Sequence, residues 1–258
     1  MQKLFFVVFV TLSLFISTAA QSKSPSANKG ANLNSATIPS SKDPLGDADQ
    51  LFSRGENLAQ DQQSLTILER ALTNDGKNYE LLWRAARSAY YVGDFGEQEA
   101  KVKFFEKGIV LAQRAVALQP DSVEGHFWLA ANYGGKAQLV GALKALATVK
   151  KIRNEMQMVV KLKDTYENGN AYLALGEIDR ELPGVMGGNK KRALSLFEQG
   201  LKVAPENLDL KVALAKAYKD AGRKDEAQRL LEEVVKAQAT TRIQRDAQVE
   251  ARQILSKQ

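Results

Sequence analysis

The chain has 258 residues, of which 44% are hydrophobic and 26% charged, a composition typical of a globular protein with a sizeable core. It contains no cysteine, which excludes disulfide bonds, thiolate catalysis and a lipid anchor on a cysteine. The net charge of +6 is too small to indicate nucleic-acid binding without a concentrated basic stripe, so we expect no nucleic-acid partner.

The first residues differ from the rest of the chain. Lys3 precedes an apolar run over residues 4–16, and small residues follow at positions 17–20. This order is typical of a signal peptide. As a helix the run would be roughly 20 Å long, shorter than the roughly 30 Å hydrocarbon core of a membrane, which favours a removed export signal over a retained anchor. We therefore predict a signal peptide over residues 1–20, cleaved near Ala20, and an exported, periplasmic protein.

A polar segment separates this run from the folded domain. Residues 21–46 are rich in Ser, Asn, Ala and Lys and contain almost no large apolar side chain. Such a segment cannot bury enough surface to offset the entropy lost on ordering. The sequence predicts a disordered linker over residues 21–46 and a helical domain over residues 47–258.

The domain contains an internal repeat. The stretch RALSLFEQGLKVAPEN at 192–207 aligns with EAQRLLEEVVKAQATT at 226–241, so that Ala193 meets Ala227 at a shift of 34 residues. This shift is the tetratricopeptide period, in which each repeat is a helical hairpin. The intervening residues 214–223 supply the first helix of the last repeat and its turn.

Earlier segments match the repeat more loosely. First helices are predicted within 78–95, 117–135 and 171–182, the first of them ending in a turn at Gly93-Asp94. The fold class is therefore predicted as all-α: about four degenerate tetratricopeptide hairpins stacked as an α-solenoid, with a capping helix over residues 241–255. A plain antiparallel helical bundle is the alternative.

The segment LPGVMGGN, residues 182–189, lengthens one hairpin turn by about five residues. Its glycines suggest a phosphate-binding loop, but Asn189 stands where the second glycine is required and Arg192 where a hydroxyl side chain is required. No strand is predicted before it either. We therefore exclude nucleotide binding and keep two alternatives, a solvated turn or an unspecific anion contact by Lys190, Lys191 and Arg192.

Three stretches together carry a family resemblance: a predicted Gly-Gly break at 134–135 after a repeat helix, ALATVKKIRNEM at 145–156 and ELPGVMGGNKKRALSLFEQGLKVAP at 181–205. The chain resembles the T-component family of TRAP transporters and, more distantly, the eukaryotic regulators of microtubule dynamics. The first resemblance implies a homo-oligomer that docks a periplasmic solute-binding protein and holds or passes a hydrophobic ligand. Because the lipid-anchoring cysteine of many members is missing, we expect a free periplasmic protein.

A hydrophobic ligand would need an apolar cavity. Residues 137–149 are apolar nearly all round and are predicted as one helix that fills the core or, alternatively, lines an internal cavity. Inter-repeat packing is the alternative role of the neighbouring aromatic residues. The candidate cavity residues are Phe127, Trp128, Tyr133, Leu139, Leu143 and Leu146.

A protein partner would need a binding surface. No acid occurs between Glu124 and Glu155, whereas cations accumulate there and continue after the glycine-rich turn. We predict a basic surface that steers an acidic partner, with an ordinary solvated helix face as the alternative. The candidate surface residues are Lys136, Lys144, Lys150, Lys151, Arg153, Lys190, Lys191 and Arg192.

No pattern in the chain indicates catalysis. His126 is the only histidine, so a zinc site or a Ser-His-acid triad would have no second imidazole. Adjacent acids such as Glu232 and Glu233 lie where helical surfaces are normally charged. We expect a non-catalytic protein without metal or cofactor that binds a partner; a general envelope scaffold and a carrier of a lipid-like molecule are the alternatives.

Overall fold

The computed structural model describes residues 42–53, 57–140 and 142–257, without the side chains of Ser53 and residues 142–144. The predicted signal peptide and residues 21–41 of the predicted linker lie outside this part. Every element within the described ranges is helical, and two short 3-10 segments occur at Tyr166–Gly169 and Gly184–Met186. The α-helices are α1 (Pro44–Ser53), α2 (Leu58–Asn74), α3 (Tyr79–Phe95), α4 (Gln98–Leu118), α5 (Val123–Ala137), α6 (Ala142–Lys163), α7 (Asn170–Glu181), α8 (Lys190–Val203), α9 (Leu208–Asp220), α10 (Lys224–Lys236) and α11 (Arg242–Leu255).

The helices are arranged as stacked hairpins. Each odd-numbered helix up to α9 packs against the helix that follows it, and the short connections make the two antiparallel. Four pairs of successive odd-numbered helices also touch: α1 contacts α3, α3 contacts α5, α7 contacts α9, and α9 contacts α11. This arrangement confirms the predicted all-α solenoid of tetratricopeptide hairpins. None of the helices in the described ranges combines the length and the apolar character that a membrane span requires.

The 34-residue period is confirmed by the second helices of the last two hairpins. Helix α8 begins at Lys190 and α10 at Lys224. The aligned pair Ala193 and Ala227 is fully buried, because these small side chains allow two helices to approach closely. Within the same helices, Phe197 aligns with Leu231, and both of these side chains are also fully buried.

The lengthened turn has the predicted size. The connection from α7 to α8 comprises residues 182–189, whereas that from α9 to α10 comprises residues 221–223, a difference of five residues. Asn189 caps α8 by accepting a hydrogen bond from the backbone N–H of Arg192 at 3.0 Å. The extra residues are therefore confined to the turn and leave the period of the helices intact.

The start of the domain differs from the prediction in two respects. Helix α1 begins at Pro44, so the last residues of the predicted linker are helical. Helices α1 and α2 also form a hairpin of their own, so the described residues contain five hairpins and not four. Asp49 anchors helix α1 to α3, because it accepts hydrogen bonds from Arg84 Nε at 2.9 Å and Arg87 Nη2 at 2.7 Å.

Two glycine-based predictions are wrong. Gly93 lies inside α3, and residues 134–135 lie inside α5, where a chain break was expected. Both positions need glycine for close packing: a methyl group on Gly93 would stand 2.9 Å from Phe105 Cε1, and one on Gly135 would stand 2.7 Å from Phe105 Cδ1. The absent side chains admit the Phe105 ring between α3 and α5.

The predicted helix over residues 137–149 is also wrong, because the chain turns within it. Helix α5 ends at Ala137 and α6 begins at Ala142, so that α6 packs back against α5. Leu139 in this connection is partly buried against the main core. The turn is hidden in the sequence because its side chains are nearly as apolar as those of the helices beside it.

Helix α11 confirms the predicted C-terminal capping helix. Thr241 and Gln244 form a reciprocal capping box at its start. The buried Gln248 donates through Nε2 to the carbonyl oxygens of Val234, Val235 and Ala237 at 2.7 to 3.1 Å. These bonds help to satisfy the last carbonyl groups of α10, where a helix lacks N–H groups of its own to pair with them.

Candidate functional site

The turn between α7 and α8 is held by a buried aspartate. Asp179 of α7 is fully buried, and its carboxylate pairs with Arg153 Nη1 of α6 at 2.7 Å and with Arg192 Nη2 of α8 at 2.6 Å. The side-chain hydrogen bond to Asp179 raises the pKa of Arg192. The backbone N–H of Asn189 also donates to the carbonyl oxygen of Asp179 at 2.8 Å. We call Arg153, Asp179 and Arg192 the arginine clamp.

The clamp fixes the turn and leaves its tip in solvent. The carbonyl oxygen of Gly187 accepts from Arg192 Nη2 at 3.0 Å and from Arg153 Nη2 at 3.4 Å, and Gly187 has a φ of +88°, a conformation that glycine adopts without strain. At the tip, 96% of the surface of Val185 and 46% of that of Met186 are exposed. The sequence thus builds a fixed turn with an apolar end.

The predicted surface residues fall into separate groups. Arg153 and Arg192 belong to the arginine clamp, where both pair with Asp179; their role at a partner or anion surface stays a prediction. Lys190 and Lys191 are exposed in the first turn of α8, and Lys150 is exposed on α6. Two further lysines, Lys136 and Lys151, lie at the groove described next, and the side chain of Lys144 is outside the described part.

A groove of about 530 Å³ lies between α4 and α6. Val110 forms its most exposed apolar part, with 55% of its surface accessible. Tyr133 of α5 contributes its ring, and its hydroxyl accepts a hydrogen bond from Gln113 Nε2 at 3.0 Å. The residues that line the groove are Glu106, Ile109, Val110, Gln113, Tyr133, Lys136, Val140, Thr148 and Lys151.

Two lysines lie at the groove, one paired with an acid and one accessible. Lys136 Nζ pairs with Glu106 Oε1 at 2.7 Å, so its charge is largely compensated. Lys151 Nζ lies 5.4 Å from the centre of the Tyr133 ring, a distance compatible with a cation–π contact. Lys151 is also exposed, so it remains accessible to an acidic group. The groove therefore combines apolar surface with one accessible positive charge.

The six predicted cavity residues do not share one site. Phe127 and Trp128 are buried in the main core, where their rings pack edge to face with centroids 5.1 Å apart. Leu139 and Leu146 are partly buried against the same core. Among the six, Tyr133 lines the groove, and the side chain of Leu143 lies outside the described part. The described members are thus divided between core packing and the groove.

His126 is a structural residue of the hairpin formed by α5 and α6. Its Nδ1 lies 2.5 Å from Glu155 Oε2, and its Nε2 lies 2.8 Å from the carbonyl oxygen of Pro120. The hydrogen bond to Glu155 raises the pKa of His126, and burial opposes it. Within the described residues, no group of three or more His, Cys, Asp or Glu side chains is placed to hold a metal ion.

A second buried acid lies near the start of the solenoid. Asp61 of α2 is buried, and this burial raises the pKa of its carboxyl group to about 7, although the charge of Arg87 opposes the shift. Arg87 is buried as well, and its guanidinium carbon stands 3.9 Å from the centre of the Phe52 ring. These groups connect the first hairpin to α3, and none of them lines the groove.

Sequence reasoning missed two of the important residues. Asp179 carries no signal of its own, since an acid on a helix is normally exposed. Val110 carries a weak signal: it belongs to the apolar run at residues 109–112, which is too wide for one buried face of a helix. One member of that run had to face outward, and the structure shows that it is Val110.

Solved structures with the same fold are known. A thermophilic tetratricopeptide repeat protein of Thermus thermophilus, TTC0263, is 20% identical and superposes with a TM-score of 0.60, covering 83% of this chain and 98% of its own. A structure of MamA is 16% identical with a TM-score of 0.50, covering 82% and 97% of the two chains. A double mutant of MamA, RS-1 ArsTM, is 12% identical with a TM-score of 0.51, covering 83% and 96%. At these identities the likeness shows the fold alone.

Sequence families give a closer placement. No curated protein is similar enough to the chain to be matched by sequence. A tetratricopeptide repeat family matches residues 188–248, which contain the two regular second helices. The family described as regulator of microtubule dynamics protein 1-3 matches residues 45–177, more than half of the chain. The chain therefore belongs to the regulator of microtubule dynamics protein 1-3 family.

Proposed function

We propose that the chain is a non-catalytic scaffold that binds a protein partner, and that the groove between α4 and α6 receives an amphipathic segment of that partner. The groove itself carries the proposal, because it is a concave site with an exposed apolar side chain, Val110, beside an accessible cation, Lys151. Helical-repeat proteins generally bind their partners through surfaces that several repeats build together.

The apolar part of the groove would supply most of the affinity. Ile109 and Val110 of α4 and Val140 beyond α5 line it together. A partner side chain that enters between them removes apolar surface of both molecules from water, at roughly 25 cal/mol for each Å². Residues at the centre of such a contact typically dominate binding.

The charge of the groove would select the partner. Glu106 is already paired with Lys136, so Lys151 is left as the groove's accessible charge. A carboxylate on the partner would meet Lys151 at the edge of the apolar surface, where the surrounding protein lowers the effective dielectric constant. The chemistry that fits the site is thus an amphipathic, acidic segment of a protein.

The proposal is tested by site-specific photocrosslinking in cells, followed by binding measurements. A photoreactive amino acid replaces Val110, and a matched control replaces Val249, whose surface is 47% exposed on α11. A partner protein captured from position 110 is identified by mass spectrometry. Its acidic segment is then titrated as a peptide against the purified full chain.

Matched variants distinguish the groove from general surface effects. We expect Val110→Asp and Lys151→Glu each to weaken peptide binding about tenfold or more, whereas Val249→Asp and Lys236→Glu leave binding within about twofold. Capture that is equal at positions 110 and 249, or groove variants that bind like the unmodified protein, would refute the proposal.

The resemblance to TRAP T components adds a finer hypothesis: the partner is a periplasmic solute-binding protein, the chain is a homo-oligomer, and a hydrophobic ligand is held or passed on. Pull-down with such a protein tests the first part, and analytical ultracentrifugation tests the second. Native mass spectrometry of protein purified without detergent tests the third, since a bound lipid adds mass. The predicted export is tested by determining the N-terminal residue of the mature protein.

A further inference from the structure

The arginine clamp holds an apolar tip away from the rest of the molecule. Val185 is almost fully exposed and Met186 nearly half exposed, and a methyl group added to Gly184 or Gly187 would meet nothing within 4 Å. Pro183 before them is exposed as well. The tip thus presents adjacent apolar side chains on a convex projection, and it has no polar side chain of its own.

The projection is also fixed in place. Asp179 ties α6, α7 and α8 together at its base, and the carbonyl oxygen of Gly187 accepts hydrogen bonds from both arginines of the clamp. Within the turn, the backbone N–H of Gly188 donates to the carbonyl oxygen of Pro183 at 3.1 Å. A tip that is ordered before binding loses less conformational entropy when it docks.

Exposed lysines lie on the helices that adjoin this projection. Lys190 and Lys191 are exposed in the first turn of α8, which contains no acid, although the positive end of the helix dipole disfavours cations there. Lys150 is exposed on α6, three residues before Arg153, whose guanidinium contacts the turn. Local helix stability does not explain Lys190 and Lys191, whereas an anionic surface facing the tip does.

We propose that residues 183–186 insert into the interface of an anionic lipid membrane, with Lys150, Lys190 and Lys191 against the headgroups. A lipid surface suits these features because it accepts a convex apolar tip without directional hydrogen bonds and attracts cations placed around it. Each lysine near an anionic membrane strengthens binding by about fivefold. The proposal is independent of the groove between α4 and α6, which faces a protein partner.

The test uses a local probe, because the full chain also carries its apolar N-terminal residues. The chain has no cysteine, so Val185→Cys provides a single site for an environment-sensitive fluorophore such as NBD. Val249→Cys on α11 is the matched control. The labelled full-length proteins are mixed with vesicles of phosphatidylcholine, with and without phosphatidylglycerol, and circular dichroism confirms that both remain folded.

With phosphatidylglycerol vesicles we expect the emission of the probe at position 185 to shift to the blue and to be quenched by nitroxide-labelled lipids, while position 249 shows neither effect. The double variant Lys190→Glu, Lys191→Glu is expected to need about 25-fold more anionic lipid for the same shift, because it loses two lysine contacts of about fivefold each. Three results would overturn the proposal: no shift at position 185, equal shifts at 185 and 249, or a shift that does not depend on phosphatidylglycerol. A blue shift of the probe at position 185 caused by a protein partner without vesicles would assign the tip to protein binding and would also overturn the proposal.

Discussion

Gly176 of α7 and Phe197 of α8 form a size-matched pair that makes a sharp test of the repeat packing. Phe197 is fully buried, and a methyl group on Gly176 would stand 2.6 Å from Cδ1 and 2.7 Å from Cζ of its ring. After allowance for the five extra turn residues, the next hairpin places Ala215 and Leu231 at these positions, and both side chains are fully buried in one cluster. A larger residue on one helix is thus matched by a smaller one on the other.

The perturbation is the cycle of Gly176→Ala, Phe197→Leu and the double variant. Gly176→Ala overpacks the contact at a cost of about 1–3 kcal/mol, reduced by about 1 kcal/mol because alanine favours the helix. Phe197→Leu leaves unfilled volume and costs about 1–2 kcal/mol. The double variant recreates the Ala215–Leu231 pair, so we expect it to lose only about 1 kcal/mol in total.

The assay is urea unfolding followed by circular dichroism at constant protein concentration, with the slope of the transition compared across the four proteins. The expected coupling free energy between the two sites is about 1–2 kcal/mol, within the range seen for residues in contact. If the losses of the two single variants add in the double variant within about 0.5 kcal/mol, the two side chains are not sterically coupled. Such additivity would refute the size-matched pairing of Gly176 with Phe197.

Three further predictions concern polar contacts. Asp179→Asn is expected to lower the free energy of unfolding by about 3 kcal/mol, because it leaves two arginines without their buried charged partner. It should also speed proteolysis in the turn. Unchanged unfolding and cleavage would contradict the role of the arginine clamp. Because Glu155 raises the pKa of His126, this pair stabilises the fold fully below the ordinary pKa of 6.5 and loses its effect as the pH rises through the raised value. The melting temperature, measured across neutral pH, should show this decline. The His126→Gln variant should lose the share of the pH dependence that His126 contributes. The buried Asn207 caps α9 by accepting a hydrogen bond from the N–H of Leu210, and it donates to the carbonyl oxygen of Asn168. Asn207→Ala should therefore lower the free energy of unfolding in urea by about 2 kcal/mol. A loss below about 0.5 kcal/mol would show that water replaces both bonds.

Glycine shows why part of the fold could not be predicted. A glycine that ends a helix and a glycine that admits a neighbouring side chain both appear in the sequence as a missing side chain. Residues 134–135 were interpreted as a break, yet Gly135 lies inside α5 because the ring of Phe105 occupies the space beside it. The sequence does not show which neighbour will lie there, so this choice depends on the packing of α3, α4 and α5.

The sequence by itself determined the features that repeat or that depend on nearby residues. The shift from Ala193 to Ala227, the five additional residues before Asn189 and the capping helix after Thr241 all follow from spacing along the chain, since hairpins and caps are made by residues close in sequence. The structure confirms each of them.

Only the tertiary structure decided what the charged side chains do. Arg153 and Arg192 belong to two basic stretches that are far apart in the chain, and both were expected to face a partner. The buried Asp179 of a third helix brings them together and pairs with both, while Lys150, Lys190 and Lys191 stay exposed. The physical reason is that an ion pair depends on distance in space, and that distance is set by how α6, α7 and α8 pack.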